Sequence, residues 1–136
     1  MKTMKPTDLV GTWLIDRVMD DRITGDRHQV SGTAVITAGH YREDGQLTMA
    51  DGTTFASQRS YLWNFHADKI DVFFDDGRPF HSIIFGSKAA EDSHYCDPDL
   101  YDVAYDFQKF PTWRAVWTAA GPRKDYVMTT LYRKQS

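Results

Sequence analysis

Tyr101-Asp102-Val103-Ala104-Tyr105-Asp106-Phe107 puts aromatic residues and Val103 on odd positions and aspartate or alanine on even ones. A period of two marks a strand with one face toward a core and the other toward water. The same period runs through residues 53–65, where Arg59, Tyr61, Trp63 and Phe65 share one side and Ser60, Leu62 and Asn64 the other. Nearer the amino terminus it returns in Trp13, Ile15, Arg17 and Met19.

Between these stretches glycine and aspartate recur at short intervals, so strand should follow strand through tight turns. A second strand is expected at about 26–37, closed by Ala38-Gly39. Others are expected at 70–74 after His66-Ala67-Asp68, at 79–85 after Asp76-Gly77, and at 113–119 and 124–133 around Gly121-Pro122. Asp44-Gly45 and Asp51-Gly52 read as turn or bulge dipeptides around a short strand at 46–50, and Ser87 to Ser93 as a polar connection. Pro6 to Val10 reads as one short helical turn. About nine strands joined in sequence, without a long crossover, predict an all-β fold: a single antiparallel up-and-down β-barrel rather than a Greek-key sandwich. Closure at about eight to ten strands leaves an interior that holds side chains or one small ligand.

Composition agrees with one compact domain over residues 1–136. The chain is 41% hydrophobic and 14% aromatic with five prolines, which argues against disorder and against a linker-joined pair of domains. A net charge of −3 supplies no broad basic field for a phosphate backbone, so no nucleic-acid partner is expected. Cys96 is the single cysteine, which rules out an intrachain disulfide and suits a reducing compartment, the cytoplasm. Residues 1–9 lack the apolar core of a signal peptide, and no stretch reaches the ~18 apolar residues of a membrane span, so a soluble protein with no membrane partner is expected.

Three blocks set ionisable groups beside β-type apolar runs: Asp75-Asp76-Gly77-Arg78-Pro79-Phe80-His81, His94-Tyr95-Cys96-Asp97-Pro98-Asp99-Leu100-Tyr101 and Gly121-Pro122-Arg123-Lys124-Asp125-Tyr126. Such groups are costly to bury unless paired, so their grouping predicts a pocket. With Gly11-x-Trp13 near the start and Tyr132-Arg133 in the last strand, the chain resembles the calycin and lipocalin-like barrels, in which an arginine of the last strand covers the tryptophan. With Gly32-x-Ala34, Tyr41-x-Glu43-x-Gly45, Arg59-x-Tyr61-x-Trp63, Trp113-x-x-x-Trp117 and the three polar blocks, it is similar to the domain of unknown function 6314 family. That resemblance implies a lipocalin-like barrel and brings no activity or cofactor with it.

The residues themselves suggest a binding site with acid/base capacity. His81 or His94 would serve as general acid or base, Asp99 would orient the imidazole, and Arg59 or Arg123 would hold an anionic group. Tyr41, Glu43, Arg59, Tyr61 and Trp63 have the alternation of an interior face, with Glu43 pairing to Arg59. Arg78, Cys96 and Tyr101 complete the expected ligand contacts. Within the last block Arg123 and Asp125 point one way and Lys124 and Tyr126 the other, so at most one basic residue enters the barrel.

An apolar carrier would line its cavity with leucine, valine and phenylalanine, so a small polar or aromatic compound is the expected ligand. The function expected is a ligand-binding barrel, with isomerase, lyase or hydrolase chemistry as its enzymatic form and a sensor or carrier as the non-enzymatic alternative. A haem- or metal-binding barrel, using His81 or His94, is a further alternative; the spacing of His81, His94, Cys96 and Asp99 is no zinc-finger spacing, and neither a metal ligand nor a cofactor is assigned. Trp113 and Trp117 would either cover the barrel or form a homodimer contact.

Overall fold

A computed structural model describes residues 4–86 and 90–135. After a 3-10 turn at Pro6–Leu9, ten strands follow in sequence: β1 (Gly11–Asp21), β2 (Arg27–Thr37), β3 (His40–Thr48), β4 (Thr54–Phe65), β5 (Lys69–Phe74), β6 (Pro79–Ile84), β7 (Ala90–Cys96), β8 (Asp99–Asp106), β9 (Trp113–Ala120) and β10 (Asp125–Lys134). They form one antiparallel sheet in the order β6-β5-β4-β3-β2-β1-β10-β9-β8-β7. The β1–β10 ladder, from Trp13 opposite Lys134 to Asp21 opposite Tyr126, ties the two ends of the chain together.

The sheet curls until its outer strands, β6 and β7, lie against each other. No backbone ladder joins them among the described residues. Instead the Ser82 N–H of β6 donates to the Asp92 carboxylate of β7 at 2.7 Å. The barrel is thus nearly closed, with one seam held by side chains. No helix among the described residues is long and apolar enough to cross a membrane.

The structure corrects the strand count from about nine to ten. The added strand is β7, which begins inside the segment read as a polar connection and runs past its end at Ser93; its alternation is Ala90, Asp92 and His94 toward the inside against exposed Glu91, Ser93 and Tyr95. Polar residues on both faces conceal that period in the sequence. Ser87, Lys88 and Ala89, the start of the same segment, lie outside the described residues.

Asp44-Gly45 is likewise no turn, because β3 runs through it. Gly45 sits opposite Gly32 of β2, and a Cβ on Gly32 would overlap the Asp44 carbonyl oxygen. This glycine pair lets two backbones approach where the sheet must coil, a backbone role that a sequence reading assigns to a turn.

One end of the barrel is sealed by stacked rings. Trp13 donates its indole N–H to the Leu9 carbonyl at 2.9 Å, which pins the 3-10 turn across the opening. Trp13 meets Trp113 edge to face at 5.6 Å, and Trp113 stacks on Tyr132 at 3.7 Å. Trp113 is 2% exposed and Trp117 faces the interior, so neither forms the outward patch that a dimer contact would need. The cation over Trp13 is Lys134, 4.9 Å from the ring, whereas Arg133 turns outward to Asp16 at 2.8 Å. Gly32→Ala should destabilise the fold by about 3 kcal/mol, the upper end of the cost of overpacking, because backbone and not a side chain must yield. Urea unfolding measures this, and a change below about 0.5 kcal/mol would show that the close approach is not structural.

Candidate functional site

Each strand changes character toward the other end of the barrel. Along β4 the inward residues run Phe65, Trp63, Tyr61, Arg59, and along β10 they run Tyr132, Thr130, Met128, Tyr126. The apolar end becomes packed core and the polar end encloses a cavity of about 290 Å³.

Its floor is built from Arg17 on β1 and Glu43 on β3, which are 6% and 4% exposed. One terminal guanidinium nitrogen, Nη2, donates to both Glu43 oxygens, at 2.6 and 2.9 Å, and Nε donates to the Thr130 hydroxyl of β10 at 2.7 Å. Burial by itself would weaken the Arg17 charge, but the hydrogen bonds and field of Glu43 outweigh it and hold the guanidinium protonated beyond its ordinary range. Its other terminal nitrogen, Nη1, is buried with no hydrogen-bond partner among the described residues.

Beside this pair the hydroxyls of Tyr41 and Tyr132 meet at 2.7 Å. Burial pushes both phenols up, Tyr132 to about 12, so both stay neutral at ordinary pH. His81 of β6 shares a 2.9 Å hydrogen bond between Nε2 and the Tyr105 hydroxyl, and its Nδ1 is buried with no partner among the described residues. Burial lowers the His81 pKa to about 3, with Asp92 opposing the shift and His94 adding to it, so the ring is neutral.

The walls are aromatic. Tyr41 stacks on Trp63 at 4.9 Å, and Phe80 stacks on Phe74 at 4.4 Å and on Trp117 at 5.1 Å. His94 meets the edge of Phe80 at 5.4 Å. Arg59, Cys96, Tyr101 and Tyr126 line the outer part of the cavity, with Arg59 half-buried and Cys96 an exposed free thiol.

Of the residues singled out in the sequence, Tyr41, Glu43, Arg59, Tyr61 and Trp63 line this cavity together with His81, His94, Cys96 and Tyr101. Three others do not. Arg78 is exposed in the β5–β6 turn, bound to Asp76 at 2.7 Å and set over the outside of Phe74. Arg123 is exposed in the β9–β10 turn, while Tyr126 takes the inward direction. Asp99 opens β8 opposite Cys96 and is held by Lys124 at 3.3 Å, so no hydrogen bond connects it to either histidine. The expected imidazole–carboxylate pair is therefore replaced by the His81–Tyr105 pair.

Glu43 stands directly opposite Arg59 in the β3–β4 ladder, as expected, yet its carboxylate turns to Arg17. Arg17, Thr130, Tyr105 and Trp117 were not assigned to the site from sequence. Arg17 did carry a signal, being an ionisable residue in the same inward row as Trp13 and Ile15. Among the described residues no three His, Cys, Asp or Glu side chains converge as a metal-binding set.

The family of unknown function DUF6314 matches residues 9–134 of the chain. No curated protein matches the chain by sequence. In fold it is similar to the S-type phycobiliprotein lyase CPES from Guillardia theta, at 10% identity and a TM-score of 0.59, covering 94% of this chain and 89% of that one. It also matches a redesigned β-barrel, mFAP1, bound to DFHBI, at 15% identity and a TM-score of 0.42, covering 92% and 94% of the two chains.

The buried imidazole predicts an acid-sensitive fold. His81 titrates near 6.5 when unfolded and near 3 when folded, so between those values the unfolded chain holds the extra proton. Its contribution is fully present above about pH 6.5 and is lost as the pH falls toward 3. At ~1.4 kcal/mol per pKa unit the loss should be a few kcal/mol. His81→Asn, which cannot titrate, should lose at least ~2 kcal/mol less than the parent between pH 7 and pH 4 in urea unfolding. Equal losses in the two proteins would contradict the neutral, buried ring.

Proposed function

The chain belongs to the family of unknown function DUF6314, and we propose that it is a small-molecule-binding barrel that takes one polar or aromatic guest in its interior. The observation that carries this reading is a cavity of about 290 Å³ with aromatic walls, among whose lining residues Arg17 and His81 each keep a buried nitrogen without a partner among the described residues. Binding sites combine a mostly apolar lining with a few placed polar groups, and leaving such groups unpaired is costly unless a ligand engages them.

Binding fits this arrangement better than acid/base catalysis. The buried His81 imidazole is neutral, its Nε2 is engaged by Tyr105, and the carboxylate expected to orient it lies with Lys124 at the barrel's edge. Glu43, the carboxylate that does line the cavity, has both oxygens committed to Arg17. A carrier or sensor of a small compound is the role these contacts support, and the lone free thiol at Cys96 suits the cytoplasm.

Thermal shift across a metabolite library tests the reading without an assumed reaction. A ligand at a hundred times its Kd adds about 2.7 kcal/mol, several degrees for a domain of this size. Met128→Trp, which fills the cavity from β10, should fold yet abolish the shift. A library in which no compound raises Tm, or whose hits survive Met128→Trp, would overturn the binding function.

A further inference from the structure

We propose that the guest is a flat, conjugated ring compound carrying a carbonyl-type acceptor at one end, received by Arg17 and His81, and an anionic group at the other, received by Arg59. This rests on the binding function above and specifies its ligand class.

The buried side-chain atoms of the cavity lining that lack a partner among the described residues, Arg17 Nη1 and His81 Nδ1, are nitrogens. Arg17 brings donors only, and Glu43 and the Thr130 oxygen are already accepting from Nη2 and Nε, which leaves the Nη1 hydrogens over. Within the Tyr41–Tyr132 pair one hydroxyl donates to the other, so one hydroxyl hydrogen also remains. His81 is the sole hydrogen-bond partner of the Tyr105 hydroxyl among the described residues. A phenol is the stronger donor and an imidazole nitrogen the stronger acceptor, so we assign the proton of the His81–Tyr105 bond to the tyrosine and that of the neutral ring to Nδ1. Three donor groups of cavity-lining residues are thus without an acceptor among the described residues, which suits a ligand group that accepts hydrogen bonds.

That acceptor should be uncharged. The Arg17–Glu43 pair sums to zero and His81 is neutral, so a carboxylate buried there would lack a counter-charge. A ketone, quinone or amide oxygen takes the same hydrogen bonds without that cost.

Charge is available farther out. Arg59 lines the cavity, is only half-buried, and forms no ion pair among the described residues. The carboxylate directly across the ladder is Glu43, which is committed to Arg17. A guanidinium deprived in this way of its neighbouring carboxylate is suited to hold an anionic substituent.

Between the two ends, the face-stacked groups Tyr41–Trp63 and Phe74–Phe80–Trp117 offer planar surfaces. Flat rings gain offset-stacking and edge-to-face contacts there that a puckered or branched body of equal area does not.

Three synthetic probes separate these features: anthraquinone-2-carboxylate, anthracene-2-carboxylate, which lacks the carbonyls, and 9,10-anthraquinone, which lacks the anion. Binding is read by quenching of tryptophan fluorescence, since Trp63 and Trp117 line the cavity. The first probe should bind at least tenfold tighter than either of the others. Arg59→Gln should weaken both carboxylates about tenfold and leave 9,10-anthraquinone unchanged, and added salt should weaken only the carboxylates. Equal affinities for the three probes, an Arg59→Gln effect on the uncharged one, or no binding by any of them would each overturn the ligand class. Library compounds that still bind the parent and not Met128→Trp would then show the binding function standing without it, whereas their absence would remove both.

Discussion

The ion pair between Arg17 and Glu43 is the constraint around which this barrel is arranged. It joins β1 to β3 and, through Thr130, to β10, across the part of the sheet where the two ends of the chain meet. Desolvating two charges costs several kcal/mol per ion, and a well-packed apolar pair of the same size is often as stable or more so. Stability therefore gives no reason for a buried pair in the middle of a barrel. Its position does: toward one end the interior closes over Trp13, Trp113 and Leu9, and toward the other it opens into the cavity. The pair is the boundary between core and site.

A second consequence concerns the seam. Strands β6 and β7 carry His81, His94 and Cys96, and among the described residues these strands meet through the Asp92–Ser82 contact rather than through a ladder. Edges with fewer backbone bonds belong to the less stable part of a structure. The polar residues of the cavity's seam side are thus placed where the barrel is least tightly joined, while Arg17, Glu43 and Thr130 sit on fully laddered strands. Rigid floor and looser seam come from one topology, because a sheet curled without complete closure leaves a single pair of edges.

Much of this was legible in the sequence, and the reason is periodicity. Residues 59–65 and 101–107 alternate so cleanly that strand, inward face and the place of Arg59, Tyr61, Trp63 and Tyr101 follow from local order alone. What local order cannot supply is partner choice. Glu43 does face Arg59 across the ladder, yet Arg17, two strands away on β1, holds the carboxylate, and that depends on how far the barrel curls. Strand β7 escaped because Glu91, Ser93, His94 and Asp92 give both faces polar residues. Asp44-Gly45 misled because glycine serves a close backbone approach as well as it serves a turn. Asp99, Arg78 and Arg123 belong to hairpin ends, where charged residues are tied up locally or face water.

The most direct test of the central claim is 15N-resolved NMR of the arginine side chains at neutral pH, with Arg17 assigned by its loss in Arg17→Lys. A guanidinium sealed beneath the cavity, donating from Nε to Thr130 and from Nη2 to Glu43, should show an Nε–H signal that exchanges with water far more slowly than those of the surface arginines. An Arg17 Nε–H exchanging as fast as the rest would contradict a buried, paired floor, and with it the boundary from which the site is built.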